Sequence, residues 1–226
     1  MSSGSSSILS STSSEPPPRR GGFVLALGFL AAVLVVSIAY SQFLGMKNGT
    51  GKKIDAIAQV PPFELTNEDG KPFGSADLKG KIWVANFIFA DCKGPCPLMT
   101  ARMAELQGQV AKAKADDVRL ISFTVDPEND TPAVLKEYAT NIRANPDLWH
   151  FLTGTPEAIR AIVMKGLLQS FAPGGPDGPI HSTRFVVVDR NGTLRTYHDG
   201  TDPEIVQKLL MDIGALMRER PEKNPS

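Results

Sequence analysis

The sequence predicts an α/β sandwich: parallel strands joined through helices and closed by an antiparallel hairpin. Three observations carry it. Residues 81–90 (KIWVANFIFA) and 118–125 (VRLISFTV) are nearly continuous apolar runs of strand length, as strands buried on both faces require. The stretches between and after them place apolar residues at helical spacing. Asn191-Gly192 then sits between two apolar segments, a strong hairpin signal.

The elements follow in order. Pro61-Pro62-Phe63-Glu64-Leu65-Thr66 alternates apolar and polar, and Asn67-Glu68-Asp69-Gly70 makes a turn, so a short N-terminal hairpin is added to the sandwich. The first central strand, 81–90, is bounded by Gly80 and Asp91. Residues 97–114 carry Leu98, Met99, Met103, Leu106 and Val110 at helical spacing. After the second central strand, 131–142 reads as a helix with Pro132 at its first position. Residues 149–152 form a short strand, and Thr155-Pro156-Glu157 opens a helix over 155–168. Residues 183–189 (TRFVVVD) are a strand that turns at Asn191-Gly192 into 194–198. A helix over 202–217 closes the domain. No internal repeat is visible.

The first 57 residues stand apart from this pattern. Residues 1–22 are rich in serine, then proline, arginine and glycine, and bury too little apolar surface to order themselves. Residues 23–44 (FVLALGFLAAVLVVSIAYSQFL) carry no charge, and roughly 20 apolar residues span a bilayer. They are expected to form a single transmembrane helix, with Tyr40 at the interface. The competing reading is a cleaved signal peptide, with Ser37-Ile38-Ala39 as its small-x-small site. Residues 45–57, with Lys47, Asn48, Gly49, Gly51, Lys52 and Lys53, read as a tether. The polar stretch 218–226 reads as a disordered tail.

Composition narrows the function. Lysine plus arginine equals aspartate plus glutamate, 24 each, which argues against nucleic acid as a partner. Two cysteines and three histidines rule out a disulfide-dense scaffold and a four-cysteine zinc or iron–sulfur site within one chain. Metal or sulfur chemistry must therefore use very few residues.

Those few are placed together. The strand 81–90 runs directly into Asp91-Cys92-Lys93-Gly94-Pro95-Cys96-Pro97, where a helix begins. Sites in open α/β sheets form at the carboxyl ends of strands, and a helix N-terminus favours thiolate. The two sulfurs can close a disulfide or grip one soft metal ion. A stapling disulfide across so short a loop constrains little of the unfolded chain. Spacing alone leaves redox and metal roles open. Zinc is the metal alternative.

Four segments in sequence order now resemble a known family: FIFADCKGPCPLMTARMAELQ, FTVDPENDTPAVLKEYA, WHFLTGT and IHSTRFVVVDRNG. They are similar to the Sco/SenC family of membrane-anchored, thioredoxin-like proteins that handle copper for cytochrome c oxidase. The resemblance covers about residues 58–215 and implies a thioredoxin-like domain over 58–217. The family's CxxxCP motif matches Cys92, Cys96 and Pro97, and its metal-ligand histidine matches His181. The DPExDTP stretch matches Asp126 to Pro132. The chain departs from the usual motif at Asp91, Lys93 and Gly94, next to Cys92.

The resemblance implies a copper site of Cys92, Cys96 and His181. Thiolates select Cu(I), and imidazole remains a good ligand for Cu(II). His181 follows a glycine- and proline-rich stretch, 172–180, expected to be a loop that can swing it toward the cysteines. Asp126 is a candidate partner behind the ligands or a weak ligand, or a turn-former before Pro127. His150 is expected to be structural and His198 solvent-exposed. Met99, Met103 and Met164 are expected to pack in the core. No catalytic residue is assigned.

The leading expectation is a copper chaperone, not an enzyme. It would deliver copper to the dinuclear copper centre of an oxidase subunit outside the cytoplasm. The alternative is a thiol–disulfide oxidoreductase that uses Cys92 and Cys96 on partner cysteines, with Cys92 attacking if it is the more exposed. One dithiol can serve both. A thiol peroxidase lacks a recognisable cysteine environment. The short serine-rich N-terminus, without an arginine-rich presequence, favours a bacterial inner membrane over a mitochondrial one.

Overall fold

The structure is a computed structural model that describes residues 37, 53–92, 94, 96–175 and 178–219. The expected disordered tail (1–22), the expected anchor (23–44, Ser37 apart) and residues 220–226 lie outside the described residues. No helix among the described residues is long and apolar enough to cross a membrane.

Eight strands form one sheet: β1 (Ala58–Gln59), β2 (Glu64–Asn67), β3 (Pro72–Gly74), β4 (Ile82–Ile88), β5 (Val118–Thr124), β6 (Trp149–Thr153), β9 (Arg184–Val188) and β10 (Thr193–Asp199). Their spatial order is β1-β10-β9-β4-β5-β6-β2-β3. β4, β5 and β6 are parallel, joined by α1 (Cys96–Ala113) and α2 (Pro132–Asn141). β9 and β10 pair antiparallel beside β4. The hairpin β2–β3 reaches the opposite edge through antiparallel pairing with β6. The remaining elements are α3 (Pro156–Arg160), a π turn (Ala161–Gly166), the strand pair β7 (Phe171–Gly175) and β8 (Gly178–His181), and α4 (Ile205–Arg218).

The sandwich follows from period. Every residue of β4 is buried, so its alternate side chains feed two cores. Ile82, Val84 and Ile88 pack with Met99, Met103 and Leu106 of α1 and with Ile205, Leu209 and Ile213 of α4. Trp83, Ala85 and Phe87 pack on the other face with Ile159, Ile162, Val163 and Leu167. Helix starts obey the expected chemistry. Thr131 and Thr155 accept the N–H groups of Val134 and Ala158, and a proline follows each. At the Asn191-Gly192 turn, Gly192 takes φ 75°, a left-handed conformation that glycine adopts without Cβ strain.

Three features depart from the expected pattern. The helix expected over 155–168 keeps its α form only to Arg160. It then widens, with Leu167 N–H donating to the Ile162 carbonyl at 2.8 Å, five residues back. That extra residue per turn rotates the helical face by about 100°, so Met164 is 41 % exposed instead of packed. Met99 and Met103 are fully buried as expected. The expected loop 172–180 forms much of the strand pair β7–β8.

Candidate metal centre

The carboxyl end of β4 delivers the dithiol. Phe89 follows the strand, and its carbonyl accepts the Cys92 N–H at 3.2 Å, which turns the chain toward α1. Cys96 is the first residue of that helix and is 1 % exposed, whereas Cys92 is half-buried. Both are free thiols. Lys93 and Pro95 lie outside the described residues; Asp91 is exposed.

His181 arrives from the far end of β8. One donor atom each from Cys92, Cys96 and His181 lie within 4.8 Å of one another. Donors bonded at about 2.0–2.3 Å to one ion stand roughly 3.3–4.6 Å apart, so this spacing is on the scale at which three side chains converge on a single ion. Cys96 Sγ and His181 Nε2 are 3.3 Å apart. His181 Nδ1 lies 3.0 Å from the Ser182 carbonyl. A carbonyl only accepts, so Nδ1 carries the proton and the Nε2 lone pair faces the sulfur. The Cys96 thiol then donates to Nε2. Phe89 meets the imidazole edge to face, with centroids 5.9 Å apart.

Burial favours the neutral forms of Cys96 and His181. Burial, reinforced by the adjacent Cys92 sulfur, pushes the Cys96 thiol up to about 12. Desolvation therefore outweighs the helix N-terminus that favours thiolate in the sequence. Burial also lowers His181 below its ordinary value, against the opposing pull of the Ser182 carbonyl. A neutral imidazole with a bare Nε2 beside two sulfurs is a soft donor set suited to a thiophilic ion. A cleft of about 580 Å³ opens beside His181, lined by residues including Leu168, Gln169, Arg184 and Asp199.

The other candidates fall elsewhere. Asp126 stands outside the Cys92–Cys96–His181 group. Its carboxylate accepts both contacts of Asn129 Nδ2, at 2.9 and 3.1 Å, and its carbonyl accepts the N–H groups of Asn129 and Asp130. The residue that reaches the dithiol strand is Asp130, whose carboxylate accepts the Ala90 N–H. Spacing in the DPENDTP stretch does not distinguish the two acids. His150 is structural, 3.3 Å from Glu68 and against Phe73. His198 corrects its expectation of solvent exposure. Its Nε2 lies 2.6 Å from Asp212 of α4, because β10 presents that face to the helix. Ser182, whose carbonyl meets His181 Nδ1, and Gln169, which holds the Ser182 hydroxyl, were not singled out in the sequence. The position of Ser182 directly after His181 is the signal that points to it.

A two-cysteine, one-imidazole pocket at the end of a central strand defines a class of thioredoxin-like folds adapted to hold a soft ion or a disulfide. The SCO1/SenC family model matches residues 51–217, and this chain belongs to that family. It is 38 % identical over 164 residues to the SCO1 protein homolog of Bacillus subtilis, covering 69 % of this chain and 81 % of that one. Among solved structures it resembles BsSco, described as a Sco-family cytochrome c oxidase assembly protein with a disulfide switch. That match has TM-score 0.65, 36 % identity, and coverage of 74 % of this chain and 98 % of that one. It also resembles Bradyrhizobium japonicum ScoI with copper bound, at TM-score 0.54 and 28 % identity, covering 70 % of this chain and 99 % of that one. The thioredoxin-like α/β fold implied by the motifs is the fold observed.

Proposed function

We propose that this chain binds copper through Cys92, Cys96 and His181 and delivers it to a copper-receiving subunit of cytochrome c oxidase. The observation that carries the reading is the convergence of two sulfurs and one imidazole nitrogen within 4.8 Å. Membership of the SCO1/SenC family and the copper-bound ScoI relative support it. Three protein donors leave a coordination position through which a recipient can take the ion. Copper here is cargo, and the chain supplies its grip: two thiols and a preset Nε2 lone pair. We further propose that residues 23–44 anchor the chain, with the domain outside the cytoplasm of a bacterial cell. The balanced charge offers no electrostatic basis for nucleic acid.

The half-buried Cys92 beside the buried Cys96 favours a second reading on the same atoms. Cys92 attacks a partner disulfide, and Cys96 resolves the mixed disulfide by displacing the partner thiolate. The chain ends oxidised and the partner reduced, and a thiol redox partner is needed to reset the pair. The BsSco relative, described with a disulfide switch, supports this.

Titration of the full chain, reduced and anaerobic, with Cu(I) against a competing chelator tests the primary reading. One tight equivalent, weakened at least a hundredfold by His181→Ala and by Cys92→Ala, is expected. Unchanged affinity in His181→Ala removes the three-donor model. Weak copper binding by the parent, with facile cycling of the Cys92–Cys96 pair, leaves the thiol reductant.

A further inference from the structure

We infer that Gln169 is a positioning residue for the metal centre, acting through Ser182 to fix the ring and tautomer of His181; this rests on the copper reading above. Gln169 is buried, and both ends of its amide are used. Nε2 donates to the Leu167 carbonyl at 2.9 Å, and Oε1 accepts the Ser182 hydroxyl at 2.9 Å. The Gln169 N–H donates to the Val163 carbonyl at 2.9 Å, so the residue is clamped to the π turn and to Leu167 at its end. Leu168 before it holds φ 56°, a left-handed conformation unusual for a non-glycine residue. That turn brings Gln169 inward while Leu168 stays exposed. Such wide turns recur at functional sites.

Ser182 receives this anchorage and passes it on. Its N–H donates to the Ser170 carbonyl at 3.1 Å, and its hydroxyl accepts the Arg184 N–H at 3.2 Å. With the hydroxyl held by Gln169, the Ser182 peptide has no freedom to turn. Its carbonyl therefore stays on His181 Nδ1, and Nε2 stays on the sulfur side. Partners of this kind orient an imidazole ligand and raise its basicity. Without the Gln169 clamp, Ser182 and its carbonyl swing, Nδ1 loses a fixed acceptor, and either ring nitrogen can face the dithiol.

The test uses the full chain, metal-free and reduced, labelled with ¹⁵N-histidine. The parent is expected to show His181 as one neutral tautomer protonated at Nδ1. Gln169→Met keeps the volume and removes both amide bonds; it should mix the tautomers and weaken Cu(I) binding by about tenfold. Ser182→Ala is a second variant that removes only a hydroxyl, and should do the same. Ser182→Thr keeps the hydroxyl and should restore the parent values. The double variant should be no worse than the more severe single, because both act along one path. Unchanged tautomer and affinity in Gln169→Met and Ser182→Ala overturn the inference. So do additive effects, which would make the two residues independent. If the parent binds no copper, the copper reading fails, while the metal-free tautomer measurement still decides the role of Gln169.

Discussion

Asp130 and Ala90 are joined across the carboxyl edge of the sheet: both Asp130 carboxylate oxygens lie 3.2 Å from the Ala90 N–H. Ala90 leads into the dithiol turn, and Asp130 precedes α2. The Thr124 hydroxyl at the end of β5 also donates to Asp130, so one buried acid ties the chain leaving β4 to β5 and to the start of α2. Asp130→Ala leaves the buried Thr124 hydroxyl and the partly buried Ala90 N–H without this acceptor and should cost about 1–3 kcal/mol. Denaturant unfolding checks this.

The same acid sets a pH dependence. Burial raises Asp130 above its ordinary 3.8; bonds from Thr124 and Ala90 oppose this, and nearby Asp126 adds to it. A folded-state value above the unfolded one means the folded chain holds the proton more tightly. The stabilisation is full below about pH 3.8 and is lost as pH rises through the folded value. Asp130→Asn removes this loss while retaining an acceptor for Ala90. The stability difference, variant minus parent, should therefore rise from pH 3.5 to pH 7. A flat difference would show that Asp130 carries no linked proton.

The two cysteines should differ sharply in reactivity. Cys92 is half-buried and Cys96 is 1 % exposed, with burial holding the proton on Cys96. Only thiolate attacks an alkylating reagent. In the metal-free reduced chain, iodoacetamide should modify Cys92 at least tenfold faster than Cys96, as read by peptide mass spectrometry. Equal rates would remove the distinction between an attacking and a resolving sulfur.

Much of this site was legible because its signals are local. A buried strand, a glycine–proline pair, two cysteines and a helix start lie within residues 81–97. What was hidden depends on tertiary contact. β1 is two residues long and carries no pattern of its own; it exists because Ala58 and Gln59 pair with Leu194 and Thr193. His198 finds Asp212 only once α4 crosses β10. Met164 left the core because one π turn shifted the helical phase. Gln169 looks like a loop residue until its amide is found clamped between Leu167 and Ser182.

Gly200 marks where the last strand passes close to α1. Its N–H donates to the Thr183 carbonyl at 2.9 Å. A Cβ there would lie 2.4 Å from Met99 Sδ and 2.6 Å from the Thr183 oxygen. The methionine can move, but the backbone oxygen cannot without shifting the segment that follows His181. Gly200→Ala should destabilise the chain by about 1–3 kcal/mol and perturb the His181 ring resonances. Unchanged melting and resonances would show that the segment yields freely.

Arg195 fastens the N-terminal approach and the end of α4 to the same point on β10. Its guanidinium bonds Asp189 at 2.9 Å and Glu219 at 2.8 Å, and it also donates to the Ile54 carbonyl. The Arg195 side chain is 7 % exposed and Glu219 33 %. Removing the cation strands Asp189 in a buried setting, while Glu219 regains partial hydration. Arg195→Met should therefore cost about 3 kcal/mol, the low end for breaking a buried pair. It should also free residues 53–57, seen as faster hydrogen exchange at Ile57, whose N–H donates to the Leu194 carbonyl. The dithiol lies at the other end of the sheet, beyond the carboxyl end of β4. Thiol reactivity and Cu(I) affinity should therefore stay at parent values, which separates anchorage of the chain ends from the chemistry of the site.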